Sequence, residues 1–241
     1  MSTGPIQLHT TPPIWRLPSN SPACAKLETW LRLAGVEYET PALDFPGAPK
    51  GKIPYILEGG RKMGDSTLII EHFRETRGLD LDRSLSPREQ AISLACRRMI
   101  KENLYWGVYA SRYVVPENWA EYRKLPEAML GDAPDEVKRQ FADGIKQSID
   151  THAHGHGFGR HSFDEAALLC RQDLEALSTL LGDNTWFMGH DEPTTIDATI
   201  FGYVGNLIQQ PYEDAISKHA RAYPNLVALC DRVRERTFPE L

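Results

Sequence analysis

The chain is poor in cysteine, with only Cys24, Cys96, Cys170 and Cys230 among its 241 residues. They form no Cys-x-x-Cys pair and no short framework, which argues against dithiol exchange and against a disulfide-stapled scaffold. Reduced thiols in a cytoplasmic protein are expected. No apolar run approaches the ~18 residues of a membrane span. The first residues lack a charged stretch leading into an apolar one, so neither a span nor a secretion signal is expected. Positive charge is also short. Lys and Arg number 27 against 33 Asp and Glu, a net charge of −6. A general nucleic-acid partner is therefore not expected, since binding one means neutralising a run of phosphates. There is no internal repeat. His152, His154, His156 and His161 are dense, but alternating His in a Gly-rich stretch fixes no tetrahedral set, and no Cys or carboxylate is spaced like a structural zinc ligand. That stretch reads as a loop joining two helices, and no metal is expected.

The residues that are present fall into two patterns. Ile6 to Thr10 alternates and predicts a strand. A proline-rich loop follows, then Ser21-Pro22, a favoured N-cap and first helical residue. Leu27, Trp30, Leu31 and Ala34 make one helical face, and Gly35 ends it. Val36 to Thr40 and Ile53 to Leu57 predict strands, and Glu58-Gly59-Gly60 a turn back into Arg61 to Met63. Asp65-Ser66 opens a helix with Ile69, Ile70 and Phe73 inward. Beyond a short linker the pattern changes. Ser86-Pro87-Arg88-Glu89 is a capping box and predicts one long helix to about Val115. Ser162 with Glu165 and Thr194 with Asp197 repeat the device, and Tyr223-Pro224 opens the last helix. Asp197 is expected to hold a backbone N–H at its helix start. The chain thus divides into an α/β unit over 1–79 and an all-helical unit over 86–241.

Ser21-Pro22-Ala23-Cys24 running into Leu27 to Arg32, Gly51-Lys52-Ile53-Pro54 with Asp65-Ser66-Thr67, and Thr194 to Ala198 together resemble the glutathione S-transferase superfamily. Lys26 to Leu31, His156 to His161 and Asp197 to Gly202 are most similar to its failed-axon-connections and metaxin-like branch. The resemblance implies a thioredoxin-like N-terminal domain, an all-α C-terminal bundle and glutathione as co-substrate. It also implies a small hydrophobic electrophile as second substrate, and a homodimer. Ile53-Pro54 resembles the cis-proline edge of thioredoxin folds.

The resemblance places a catalytic hydroxyl at Ser21. A helix N-terminus and a hydroxyl donor both stabilise a thiolate, whose ordinary pKa is about 8.5. On its residues alone Ser21 is an N-cap. The loop before it is longer than the family's, so Ser19 is a rival source of the hydroxyl. Lys52, Ile53, Pro54, Asp65 and Ser66 are the implied glutathione contacts. Trp15, Tyr105, Tyr109 and Arg112 are the expected walls of the electrophile pocket, the last three by sharing a face at helical spacing. Packing between helices accounts for the same aromatic stripe. Cys24 reads either as a buried small side chain or as a monothiol centre. The branch resemblance leaves two activities open, a transferase and a non-catalytic binding or scaffold protein.

Overall fold

A computed structural model describes residues 5–241. The N-terminal unit is β1 (Ile6–His9), α1 (Pro22–Leu33), β2 (Tyr38–Glu39), β3 (Tyr55–Glu58), β4 (Arg61–Gly64) and α2 (Ser66–Arg77). The strands lie in the order β2-β1-β3-β4, with β1 parallel to β2 and antiparallel to β3, and β3 antiparallel to β4. The second strand is shorter than the alternation from Val36 to Thr40 predicts. The third begins two residues late, because Ile53-Pro54, a cis peptide, precedes it. Leu8, Leu27, Trp30, Leu31, Ile56 and Phe73 form the core between sheet and helices.

The helical unit begins where Ser86 and Glu89 cap α3 (Pro87–Met99). The helix runs on through Ile100–Leu104, α4 (Tyr105–Tyr109) and Ala110–Val114. Its extent matches the sequence expectation, but both connecting segments are π-helical. Each wide turn holds an extra residue, so side chains beyond it are rotated from α-helical register. Then come α5 (Pro116–Tyr122), α6 (Lys124–Ala128), α7 (Asp135–His156), α8 (Phe163–Leu181), α9 (Thr195–Gln209), α10 (Ala215–Arg221) and α11 (Pro224–Thr237).

The histidine-rich stretch is not the expected loop. His152, His154 and His156 belong to the last turns of α7, which stops at Gly157 with φ of 106°. Only His161 lies outside, beyond a single 3₁₀ turn at Phe158–Arg160. Glycine tolerates that left-handed C-terminal position, and the turn after it leads directly into the capping box of α8.

The two units share their central packing. Helix α9 is buried along almost its whole length and lies against α1. At Gly202 the backbones meet, since an added Cβ would stand 2.6 Å from the Lys26 N and 2.7 Å from the Pro22 O. Ala198 of α9 completes the sheet-side core, and Leu17 from the N-terminal loop is buried in the helical core. Trp30 Nε1 donates to Thr195 Oγ1 at 3.3 Å across the same contact.

Candidate active site

Ser21 stands at the N-cap of α1 with extended backbone, φ −88° and ψ 116°, but its hydroxyl caps no amide of the helix. This departs from the sequence reading. The neighbouring Ser19 Oγ instead accepts the Ser21 N–H at 3.0 Å, and Pro22 at N1 has no N–H to offer. The helix therefore starts without using the Ser21 hydroxyl, which is left on the wall of an open cleft. Its first free amides belong to Ala23 and Cys24. Ser19 is fully buried and also hydrogen-bonds Thr11. It shapes the turn and does not line the cleft.

Cys24 is completely buried one helical turn below. Burial pushes its thiol up, and hydrogen bonds from Ser21, Thr10, the Thr11 backbone and Ser19 offset this only in part. A thiol held protonated and out of solvent is a poor nucleophile. Iodoacetamide at neutral pH is therefore expected to label native Cys24 only as fast as the chain unfolds. Labelling at the rate of a free thiol in the folded protein would restore the monothiol alternative.

Across the cleft lie Lys52, the cis Ile53-Pro54 segment, Asp65 and Ser66. Lys52 is exposed at the rim. Asp65 caps α2, its Oδ1 accepting from the Thr67 N–H at 2.8 Å and the Leu68 N–H at 3.3 Å. Its φ of 82° lies in the left-handed region, which a side chain occupies at a cost of about 1–3 kcal/mol. Asp65 Oδ2 accepts from Lys101 Nζ at 3.5 Å. Burial works to raise the Asp65 pKa, but Lys101, the two capped amides and Lys26 together hold it below the usual carboxylate range. It is thus a fixed negative charge beside a helix N-terminus. The Ser66 hydroxyl accepts from Lys26 Nζ at 3.4 Å.

The whole cleft has a volume of about 1180 Å³, and the rest of it is walled by Tyr105, Trp106, Tyr113 and Tyr203 on one side and by α7 on the other. Burial pushes the Tyr105 phenol up, which keeps it a proton donor at neutral pH. Of the expected electrophile-pocket residues, only Tyr105 lies here. Tyr109 faces a separate cavity of about 740 Å³ and donates to Asp150 Oδ1 at 2.8 Å. Arg112, 2 % exposed, is turned into the core, where it donates to Gln210 Oε1, Asn206 Oδ1 and the Asn20 carbonyl. The wide turn at Ala110–Val114 rotates it off the face that α-helical spacing assigns. Trp15 is also absent from the cleft. It sits in a tight turn with Arg16, both at positive φ, closed by paired Ile14 and Leu17 hydrogen bonds. Its ring packs on Tyr122 and Tyr212 beneath the Arg112 guanidinium. This turn accounts for the long loop, which reaches over to bury Leu17 among the helices.

The α7 wall, with Phe141, Ile145, Ser148 and His152, is absent from the sequence reading. Phe141, Ile145, Ser148, Ile149 and His152 recur at helical spacing, and that periodicity was its available signal.

Two domain families match this chain, the glutathione S-transferase N-terminal domain over residues 22–118 and the glutathione S-transferase C-terminal domain over 170–233. The isoprene-epoxide–glutathione S-transferase of Rhodococcus sp. (strain AD45) is 33% identical over 96% of this chain and 98% of its own length. Failed axon connections of Drosophila melanogaster is 30% identical over 93% of this chain and 56% of its own length. Among solved structures, a beta-etherase from Sphingobium sp. strain SYK-6 superimposes with a TM-score of 0.63 at 15% identity, covering 98% of this chain and 99% of that one. At that identity the likeness speaks for the fold alone.

Proposed function

Because the chain belongs to the glutathione S-transferase family, we propose that its cleft binds glutathione and joins the tripeptide, through its sulfur, to a small electrophile. The observation that carries this reading is one cleft joining the Ser21 hydroxyl at the start of α1 to Asp65 and Ser66 at the start of α2. The chemistry of the donor set fits the ligand. The γ-glutamyl end carries an ammonium and a carboxylate. Asp65 suits the first, and the Ser66 hydroxyl with the α2 N-terminus suits the second. Lys52 suits the glycyl carboxylate, and the backbone beside Pro54 suits the cysteinyl segment. The sulfur then lies towards Ser21, where the hydroxyl and the Ala23 and Cys24 amides favour its ionised form.

The reaction follows from that thiolate. A sulfur lone pair forms the new carbon–sulfur bond, and the bond to the leaving group breaks. With an epoxide the leaving oxygen stays attached and takes up a proton. The Rhodococcus relative's name makes epoxides the first class to test. Tyr105, Trp106 and Phe141 supply an apolar wall against which a small electrophile can rest.

Titration calorimetry with glutathione at millimolar concentration, followed by a panel of epoxides and halides, checks the proposal. Binding with turnover of at least one electrophile is the expected result. No binding refutes it. Binding without turnover favours the second reading, a non-catalytic binding or scaffold protein, which the match to Failed axon connections supports. A reducing, cytoplasmic setting and a homodimer complete the reading. All four cysteines are free, and Leu68 on α2 and Leu94 on α3 are exposed apolar groups.

A further inference from the structure

Lys26 is a buried cation that the chemistry above leaves unused. It lies on α1, 3 % exposed, behind the cleft wall. Its ammonium donates to Ser66 Oγ at 3.4 Å and to Thr67 Oγ1 at 3.0 Å, both neutral partners. Among the described residues no carboxylate lies within ion-pair distance of it. Asp65 of α2 is the nearby anion, while Arg97, Arg98 and Lys101 of the adjoining long helix repel it. Helix α9 brings no free charge. Its Tyr203 is kept neutral by burial, and its Asp197 carboxylate is engaged by the Phe187 and Thr194 amides. Helix α11 meets α1 at Arg32, towards the other end. Burial first, and these cations second, bring the Lys26 pKa down to about 7.

The hydrogen bonding has a direction. An ammonium has three donors and no acceptor. Ser66 Oγ therefore accepts from Lys26, and its single O–H is left to donate elsewhere. Ser66 lines the cleft. A protonated Lys26 thus does two things at that point. It turns the Ser66 hydroxyl outward as a donor, and it places a positive charge with no direct ion-pair partner behind the N-terminus of α2.

We propose that Lys26 is the positioning residue of a carboxylate subsite at Ser66, and that a ligand carboxylate bound there is coupled to protonation of Lys26. This rests on the reading of the cleft as a glutathione site, and it assigns the γ-glutamyl carboxylate to that point. An anion beside the ammonium favours its charged form and raises its pKa. The sign follows by linkage. In the free protein Lys26 loses its proton as pH rises through about 7, whereas in the complex it keeps it to a higher pH. Binding therefore takes up a proton in the window above pH 7, and affinity falls as pH rises through it.

The test uses the full chain and S-methylglutathione, whose blocked thiol cannot titrate. Calorimetry between pH 6 and 8, in buffers of different ionisation enthalpy, gives the number of protons exchanged. The expected result is net uptake that grows from pH 6 to 8, with affinity roughly three- to tenfold weaker at pH 8 than at pH 6. Lys26→Arg keeps a permanent charge and is expected to bind with a flat pH profile and no uptake. Lys26→Met is expected to bind weakly at every pH. Uptake that persists unchanged in Lys26→Arg would assign the proton to another group and overturn the proposal. So would binding by the parent chain with no proton uptake, a measurement that depends on no variant folding. Failure of the parent to bind S-methylglutathione at any pH is a different result, and it removes the glutathione reading itself.

Discussion

Replacing Asp197 with alanine is expected to lower the unfolding free energy by about 3–5 kcal/mol, because it strands two buried amides at once. Asp197 is fully buried at the third position of α9. Its Oδ1 accepts from the Phe187 N–H and its Oδ2 from the Thr194 N–H, each at 2.7 Å, with the Thr194 hydroxyl adding a third bond at 3.0 Å. The first bond ties the preceding loop to the helix, and the second closes the helix start. Alanine satisfies neither amide, and no solvent reaches them. For a chain of this size the loss corresponds to a fall in melting temperature of roughly 10 °C. Asp197→Asn keeps one acceptor but turns an amide donor towards the Thr194 N–H, so about half the loss is expected to remain. Thermal and urea unfolding read both variants. An alanine variant melting within a degree or two of the parent would mean that α9 does not depend on this cap.

Ser21→Ala is expected to separate chemistry from folding. The Ser21 hydroxyl caps no helix amide, so its removal leaves the α1 start intact and stability nearly unchanged. If it donates to the glutathione sulfur, its loss raises the bound thiol's pKa. About two units correspond to ~2.7 kcal/mol and roughly a hundredfold at a pH where little thiol is ionised. The expected outcome is a kcat/KM at pH 6.5 lower by roughly ten- to a hundredfold. The acid limb of its pH profile shifts upward by one to two units, and turnover recovers towards the parent's above pH 9. Ser19→Ala gives the opposite pattern. It leaves the Ser21 N–H without its acceptor and costs about 1 kcal/mol of stability, with only a secondary effect on the acid limb. Equal activity of Ser21→Ala and the parent across the whole pH range would take the catalytic role away from Ser21.

The features legible in the sequence were those written in local chemistry. Serine or threonine three residues before glutamate or aspartate marked the starts of α3, α8 and α9, because capping is settled within one turn. Alternation and turn residues located the strands of a sheet that needs few other signals. What escaped was set by distant contacts. Lysine on an apolar helix face reads as a side chain that reaches solvent, and only the packing of α2 and α9 on α1 encloses Lys26. The π-helical turns have no local signature. Spacings of four and three therefore placed Tyr109 and Arg112 on the cleft. Tyr109 stands one regular turn beyond Tyr105 and meets Asp150 instead, and the wide turn after it sends Arg112 to Gln210. Ser21 has every mark of a cap, yet its hydroxyl bonds none of the α1 amides, while its own N–H is taken by the buried Ser19 hydroxyl. The clustered histidines suggested irregular chain, but Gly155 sits within the helix, and only Gly157 ends it.

The contact at Gly202 also divides the cleft into a fixed jaw and an adjustable one. The Ser21 side is carried by α1, whose backbone touches α9, so no side chain larger than hydrogen fits between them without displacing both. The facing side is carried by α7, where only Ala142 and Ala153 are buried along 22 residues. Substitutions at Phe141, Ile145 or Ser148 reshape that side without entering either hydrophobic core. If the cleft is the glutathione site, drift in substrate range can therefore accumulate on one wall while the Ser21 wall stays constant. Relatives that take different electrophiles, or none, should diverge first along α7.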